Sequence, residues 1–572
     1  MRLSWRRGCR GSFNTRRRMC SLDKRKVTTR QVSFWTTEHY RKAKYQRCLW
    51  LAAPTGIPLH QSQQLTSFPE KHTMSSVKSA SIAAAPRPYE GFNDQYISGR
   101  WRAGKLGTVL VDTDPYTGNT LVEIPDADAS DLDEACRAAE HAQRLWATTA
   151  PHERAQVMAR AAEIMKARHD EILDWLISEA GSTRAKAEIE WHFTVGITQE
   201  AATFPHRTEG RLLPSETPGK ESRAYRQPLG VVGVISPWNF PLYLTQRSVA
   251  PALALGNAVV IKPAGETPVT GGLLLAKIFE EAGLPAGLLN VVIGPAEEIG
   301  DAFTLHPVPR MISFTGSTRI GRRVGSLAMT APQIKRVALE LGGNAPLVVL
   351  DDADLEHAVR SAVVGRFLHQ GQICMSSNRI IVDAKVHDEF VERFVAHVRT
   401  LKYGDPRDPD VSIGPVISQK QLTAHLAMLK LADDAGARRV LGGEAEGLVL
   451  PPHVFVDVKN DSIFAQSEMF GPIAPIIKVS GDKEALRVAN ETEFGLSSAV
   501  FTQDQERGVR FALGIEAGMT HINDHSVDDS RSGPFGGEKN SGLGRFGGEW
   551  ILHELTRDHW VTIQHNKGPY PF

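Results

Sequence analysis

The chain has 572 residues, with 66 Lys+Arg against 65 Asp+Glu, 41% hydrophobic and 23% charged residues, a globular balance that excludes a disordered, collagen-like or merely solubilising polypeptide. Its length exceeds what one hydrophobic core usually serves, so several domains are expected. Charge is unevenly spread: residues 1–73 carry 16 Lys+Arg and 3 Asp+Glu, which leaves the remainder at net −12, unsuited to following nucleic-acid phosphates.

Residues 1–50 hold 15 Lys+Arg with only Asp23 and Glu38, the Arg-rich, acid-poor composition of a mitochondrial presequence. Their apolar residues do not recur at helical spacing, Gly8 and Gly11 interrupt the first turns, and Met74 opens an ordinary-looking start. Three readings of this tail stay open: a disordered extension, a start codon placed too far upstream, and a targeting segment. It is set apart here as a basic extension over 1–85. Of five cysteines only Cys136 and Cys374 belong to the body. They make neither a disulfide framework nor a C-x-x-C zinc pair, so no metal is expected and a reducing, cytoplasmic setting is favoured, or a mitochondrial one if the tail is a transit segment. The most apolar stretch, Val249 to Ile261, is short and broken by Pro251, Gly256 and Asn257, which argues against a membrane span.

Regular patterning starts near Tyr89. Ser130 with Asp133 resembles a capping box, after which Leu132, Ala135, Cys136, Ala139, Ala142 and Trp146 fall on one helical face and make Cys136 a core residue. A second helix is expected from about Glu153 to Ala180, stopping at Gly181. Over 230–341 the β-branched runs Val231–Ile235, Ala258–Ile261, Asn290–Ile293, Met311–Phe314 and Val337–Leu341 alternate with helical patterns that start near Leu242, Thr270, Ala296 and Thr318. Such alternation predicts an α/β fold of Rossmann type: a mostly parallel sheet with helices on both faces and a ligand at the carboxyl ends of its strands, a dinucleotide being the natural candidate. The turn after Phe314 reads Thr315-Gly316-Ser317-Thr318-Arg319-Ile320-Gly321. It matches neither G-x-G-x-x-G nor a P-loop; taken alone it reads first as a plain strand-to-helix turn, with a close approach to phosphate as the alternative.

Three residues invite chemistry. Cys374 lies in a Gly/Gln loop (His369-Gln370-Gly371-Gln372-Ile373-Cys374) between a helix over about 355–368 and a strand at Arg379–Val382, where a thiol can be exposed; a buried structural cysteine is the alternative. Glu340 closes an apolar run against Leu341-Gly342-Gly343-Asn344, as a water-activating base or a salt-bridge partner. Asn239, in Ser236-Pro237-Trp238-Asn239-Phe240-Pro241, follows a strand end, where its amide can donate to an oxyanion or form a turn. A cysteine hydrolase using His369 would explain neither the alternating sheet nor an oxidant.

The stretches PWNFP at 237–241, KPA at 262–264, FTGSTRIG at 314–321, LELGGN at 339–344, GQIC at 371–374, EMFGP at 468–472 and PFGGEKNSGLGR at 534–545 resemble, in order, those of the aldehyde dehydrogenase superfamily, over about residues 90–565. The resemblance implies a nucleotide-binding domain over 86–340, a catalytic domain over 341–545, and an oligomerisation arm. The arm would combine 207–229 with a C-terminal segment at 546–572 whose strand is His559–Gln564, giving a homodimer or homotetramer. It implies that Cys374 attacks an aldehyde, that Asn239 and the Cys374 N–H hold the oxyanion of the thiohemiacetal, that hydride passes to NAD or NADP, and that Glu340 activates the water that releases a carboxylic acid. It also implies cofactor contacts from Trp238, Lys262, Gly316, Ser317, Gly321, Glu468 and Phe470. Many family members that use NAD resemble K-P-S-E where this chain has Lys262-Pro263-Ala264-Gly265 followed by Glu266; Gly265 removes a carboxylate that would repel a 2′-phosphate and leaves NADP open. GMTHINDHSVDDSRSGPFGG and RFGGEW look most like the benzaldehyde, salicylaldehyde and vanillin dehydrogenase branch. With Phe240 and Tyr243 beside the substrate tunnel, an aromatic aldehyde is expected. The alternatives are a CoA-acylating semialdehyde dehydrogenase and a catalytically silent binding protein on the same fold.

Overall fold

The five β-branched runs become the strands Val231–Ile235 (β1), Ala258–Lys262 (β2), Leu289–Val291 (β3), Pro309–Thr315 (β4) and Arg336–Glu340 (β5) of a computed structural model that describes residues 86–568 and 570. The basic tail and its presequence-like composition lie outside the described residues. The five strands are parallel in the order β3-β2-β1-β4-β5, so strand order reverses between β1 and β4. In an open α/β sheet the crevice outside the carboxyl ends at such a reversal is where ligands bind. Helices cover both faces, which is why these strands read as unbroken apolar runs instead of alternating ones. Antiparallel strands complete an eight-stranded sheet, with Gln95–Ile97 and Arg100–Arg102 on one edge and Gly542–Leu543 on the other. The last of these pairs directly with β5, Leu339 opposite Leu543 and Glu340 opposite Gly542.

Helix α1 (Ala129–Trp146) buries Leu132, Ala135, Cys136, Ala139 and Trp146 as expected, with Ala142 half-buried. Its capping box is Asp128 with Asp131, however, not Ser130 with Asp133. The Asp128 carboxylate accepts from the N–H groups of Ser130 and Asp131, leaving Asp133 free to pair with Arg137 and His306. The single helix expected over 153–180 is two, α2 (Pro151–Ala167) and α3 (His169–Ala180). The chain breaks at Arg168 (φ −106°, ψ 26°), whose guanidinium reaches Glu171, Glu281 and the carbonyl of Arg87; these tertiary partners outweigh helical continuity. Gly181 does end α3 in the left-handed conformation, at φ 63°. Further along come α4 (Arg184–Ala201), α5 (Pro241–Ala254), α6 (Thr318–Thr330) and α7 (Leu355–Phe367).

A second sheet of seven strands starts at Ala345–Val349 (β6), beside Ser377–Asp383 (β7), and all its neighbours run parallel except the outer pair Arg438–Leu441 and His453–Val456. A third sheet joins Arg211–Leu213, Lys220–Pro228 and Thr556–Gln564, with the long pair in unbroken register from Thr556 opposite Pro228 to Gln564 opposite Lys220. It leaves Leu212 82% and Trp560 68% exposed. No helix among the described residues is long and apolar enough to cross a membrane.

The link from β5 to β6 is Leu341-Gly342-Gly343-Asn344, and it passes against the loop that carries Cys374. A Cβ placed on Gly343 would stand 2.0 Å from the Cys374 carbonyl oxygen. Backbone cannot yield there as a flexible side chain would. Gly343→Ala should lower stability by about 1–3 kcal/mol, the range for overpacked interiors, and displace the Cys374 loop; denaturant titration and any activity assay read both effects.

Candidate active site

The loop from Ser236 to Phe240 leaves the carboxyl end of β1 and enters α5, with Pro241 at its first turn. Asn239 is buried, and its Nδ2 donates to the carbonyl of Gln372 at 2.9 Å. One amide proton is thus spent on orientation; the other has no protein acceptor among the described residues. This bond ties the loop after β1 to the loop before β7, bringing Asn239 beside Cys374.

The Cys374 loop departs from α7 through a tight turn in which His369, Gln370 and Gly371 all have positive φ, at 50°, 56° and 74°. Non-glycine residues rarely adopt that region, and strained backbone persists only where its surroundings over-determine it. Here Gln370 Nε2 donates to the carbonyls of Gly181 and Pro415 at 3.0 and 2.8 Å, Gln372 Oε1 accepts from the N–H of Ile417 at 3.0 Å, and fully buried Arg366 donates to the carbonyls of Gly371 and Gly471. Cys374 emerges half-buried with a free thiol. Burial pushes that thiol up to about 12, the Glu468 and Glu340 carboxylates reinforcing the shift while Arg247 and the Met375 N–H oppose it.

The thiol opens on a cavity of about 240 Å³, which Asn239, Phe240, Tyr243, Phe535 and Asp529 also line. Phe240 and Tyr243, expected beside a substrate tunnel, are two of the cavity's walls. The Phe240 ring meets His369 edge-on at 5.7 Å and lies under the buried Lys186 ammonium at 4.3 Å. Tyr243 packs on Phe193 with ring centroids 5.5 Å apart.

Glu340, at the carboxyl end of β5, is 2% exposed, and neither of its carboxylate oxygens has a hydrogen-bond partner. It forms no salt bridge among the described residues. Burial raises its carboxyl to about 7, against an attraction from Arg247. Glu468 is likewise raised to about 7 by burial, while the Gly343 N–H donates to its Oε1 at 2.9 Å.

The remaining residues expected to serve a dinucleotide gather on the carboxyl edge of the first sheet. Trp238 and Phe470 meet edge to face with centroids 5.3 Å apart, and Phe470 has φ 47°. Lys262 ends β2 with its Nζ no nearer to an acceptor than the Pro263 carbonyl at 3.5 Å; burial lowers its pKa, opposed by Glu266, Glu297 and Asp126. An under-used buried ammonium suits a ribose hydroxyl. Gly265 has only Leu110 within 3.6 Å of an added Cβ, so the backbone there would admit a side chain. Ser317 is the N-cap residue of α6 and makes no side-chain cap bond, and Gly316 lies so near the Phe314 ring that a Cβ would stand 2.7 Å from it. A helix start with close backbone beside the strand-order reversal fits a pyrophosphate. Gly321 has a nearer cause, since its Cβ would fall 2.2 Å from Leu341 Cδ2, a helix-to-loop packing contact.

Two site residues were not singled out from the sequence. Arg247 is the lone charge in the otherwise uncharged α5, 2% exposed, with Nε and Nη1 unbonded; a single charge in a helix buried all round was the available signal. Asp529 sits in Val527-Asp528-Asp529-Ser530, indistinguishable by composition from a solvated loop.

The aldehyde dehydrogenase family profile matches residues 101–561. A vanillin dehydrogenase of Corynebacterium glutamicum is 52% identical over 468 residues, covering 82% of this chain and 97% of the relative. A benzaldehyde dehydrogenase of Bacillus subtilis is 49% identical over 484 residues, covering 85% and 99%. The crystal structure of an NAD-dependent benzaldehyde dehydrogenase from Corynebacterium glutamicum superposes with TM-score 0.78 at 48% identity, covering 84% of this chain and 98% of that one.

Proposed function

The chain belongs to the aldehyde dehydrogenase family, and from that premise we propose that it oxidises aromatic aldehydes to carboxylic acids with NAD or NADP, through a thioester on Cys374. What carries the reading is the pairing of a thiol opening on an apolar cavity with a buried carboxylate, Glu340, that no protein donor satisfies.

Cys374 gives its thiol proton to water, and its Sγ bonds the aldehyde carbon as the carbonyl π pair moves to oxygen. The free N–H of Asn239 Nδ2 donates to that oxyanion, and the Gln372 carbonyl holds the amide in place. NAD or NADP, when bound, supplies the hydride acceptor; Lys262, Ser317, Trp238, Glu468 and Phe470 are proposed to hold it. Glu340 takes a proton from the water that attacks the thioester carbon, the C–S bond breaks, and Cys374 recovers its thiol as the acid leaves. A carboxyl raised to about 7 is poised for that task near neutrality. A CoA-acylating rival has no use for an unpartnered Glu340, and a silent protein has no use for it beside a free thiol.

The aromatic walls of the cavity support an aromatic substrate. Turnover of benzaldehydes and straight-chain aldehydes, each with NAD and with NADP, tests this: the benzaldehydes should show the higher kcat/KM, and no aldehyde-dependent NAD(P)H from any of them would end the reading. CoA should leave the product a free acid.

The exposed Leu212 and Trp560 of the third sheet support a homodimer or homotetramer assembled through that arm. Sedimentation at micromolar concentration should show more than one chain, and a monomer would refute it. The negative body charge and the two thiols left unpaired among the described residues support a cytoplasmic location.

A further inference from the structure

The cavity in front of Cys374 is walled by Phe193, Phe240, Leu244, Ile373 and other apolar side chains, yet two carboxylates also line it: Asp528, half exposed and turned toward His521 at 3.6 Å, and the buried Asp529. Asp529 has a side chain only 6% exposed, and its Oδ2 accepts from the Tyr243 hydroxyl at 2.8 Å and stands 3.8 Å from Arg247 Nη1. No side chain among the described residues donates to its Oδ1; the neighbouring Ser530 N–H also points at the carboxylate, again from the protein side. Arg247 does not line the cavity; its guanidinium stacks over the rings of Phe535 and Phe546 at 4.2 and 4.6 Å, which keeps the cation behind the carboxylate. Burying a charge in an apolar wall is unfavourable unless it is paired. Here the pairing comes from the protein side, so the cavity side keeps an oriented acceptor in apolar surroundings.

Resting on the function proposed above, we propose that Asp529 is a specificity-determining residue that accepts a hydrogen bond from a hydroxyl on the ring of the aldehyde. The Tyr243–Asp529–Arg247 chain fixes its direction. A carboxylate flanked by apolar groups favours a neutral O–H donor, leaves a bare ring without that bond, and meets a methoxy group with oxygen facing oxygen. Discrimination by a buried polar group left unpaired is larger than discrimination by a methylene in an apolar pocket. Because Tyr243 already supplies one donor, the expected preference is about 10- to 100-fold.

The test compares kcat/KM for benzaldehyde with its 2-, 3- and 4-hydroxy and matching methoxy derivatives, in the wild-type protein and in Asp529→Asn and Tyr243→Phe. At the ring position that reaches Asp529, the hydroxy compound should exceed both its methoxy partner and benzaldehyde. The hydroxy-to-benzaldehyde ratio should fall at least about 10-fold in Asp529→Asn, as a charged acceptor becomes neutral, and persist in Tyr243→Phe, which keeps the carboxylate. Benzaldehyde turned over with no hydroxyl preference at any position overturns the inference while leaving the proposed function standing. So does a ratio unmoved by Asp529→Asn. Should that variant fail to fold, the wild-type comparison and Tyr243→Phe still decide. Failure of wild-type protein to oxidise benzaldehyde itself would instead strike the function on which the inference rests.

Discussion

Cys374→Ala should form no NAD(P)H from any aldehyde, a loss of at least about 10⁴-fold, the scale seen when a group that acts as part of a unit is removed. Without sulfur the carbonyl carbon cannot become the tetrahedral adduct that expels hydride, and nothing else lining the cavity is a comparable nucleophile. The side chain is small and half-buried, so circular dichroism and thermal midpoint should stay close to wild type, separating lost chemistry from lost fold. Cys136 supplies an internal contrast: it is fully buried on the core face of α1, whereas Cys374 is half-buried and opens on the cavity. Alkylation followed by peptide mapping should therefore link inactivation to modification at 374, and inactivation with only position 136 modified would refute the assignment.

Glu340→Gln should divide the reaction in two. Acylation needs Cys374 and the Asn239 amide, so the variant should release a first equivalent of NAD(P)H, whereas hydrolysis loses its base and steady turnover should fall about 10²- to 10⁴-fold. Equal loss of burst and turnover would refute the division of labour. The wild-type hydrolytic rate should rise with pH through about 7, because the base acts unprotonated and its carboxyl lies there. The same group gives a stability signature. Its carboxyl holds a proton more tightly in the folded protein (about 7) than at its ordinary value of 4.5, so stability is fully present below 4.5 and drains away as pH rises through 7. The penalty for ionised Glu340 at pH 8 is ~3 kcal/mol. Glu340→Gln escapes it, and should be more stable than wild type at pH 8 and lose that advantage at pH 5 in denaturant titrations.

How much of this was legible beforehand follows from range. Strand ends were readable because apolar runs stop at punctuation, and Asn239, Lys262, Gly316 and Glu340 all sit at such stops. Gly181 announced a helix end because its requirement is local. The break at Arg168 was not readable, since it depends on Glu281, far away in the chain. The capping box slid to Asp128 because two overlapping acidic pairs compete, and beside the local i,i+4 partner Arg137 it is a tertiary partner, His306, that holds Asp133 away from the cap. Asp529 was invisible for the same reason: its meaning comes from Tyr243 and Arg247 on α5, whereas its sequence neighbours look like any solvated turn.

The strand that ends in Glu340 has its outer edge closed by Gly542 and Leu543. During synthesis the ribosome still holds those residues after the rest of the first sheet has emerged, so a nascent chain presents this edge open, with unpaired amides ready to recruit a stranger strand. Premature termination upstream of 542 would thus yield a product that is sticky as well as inactive.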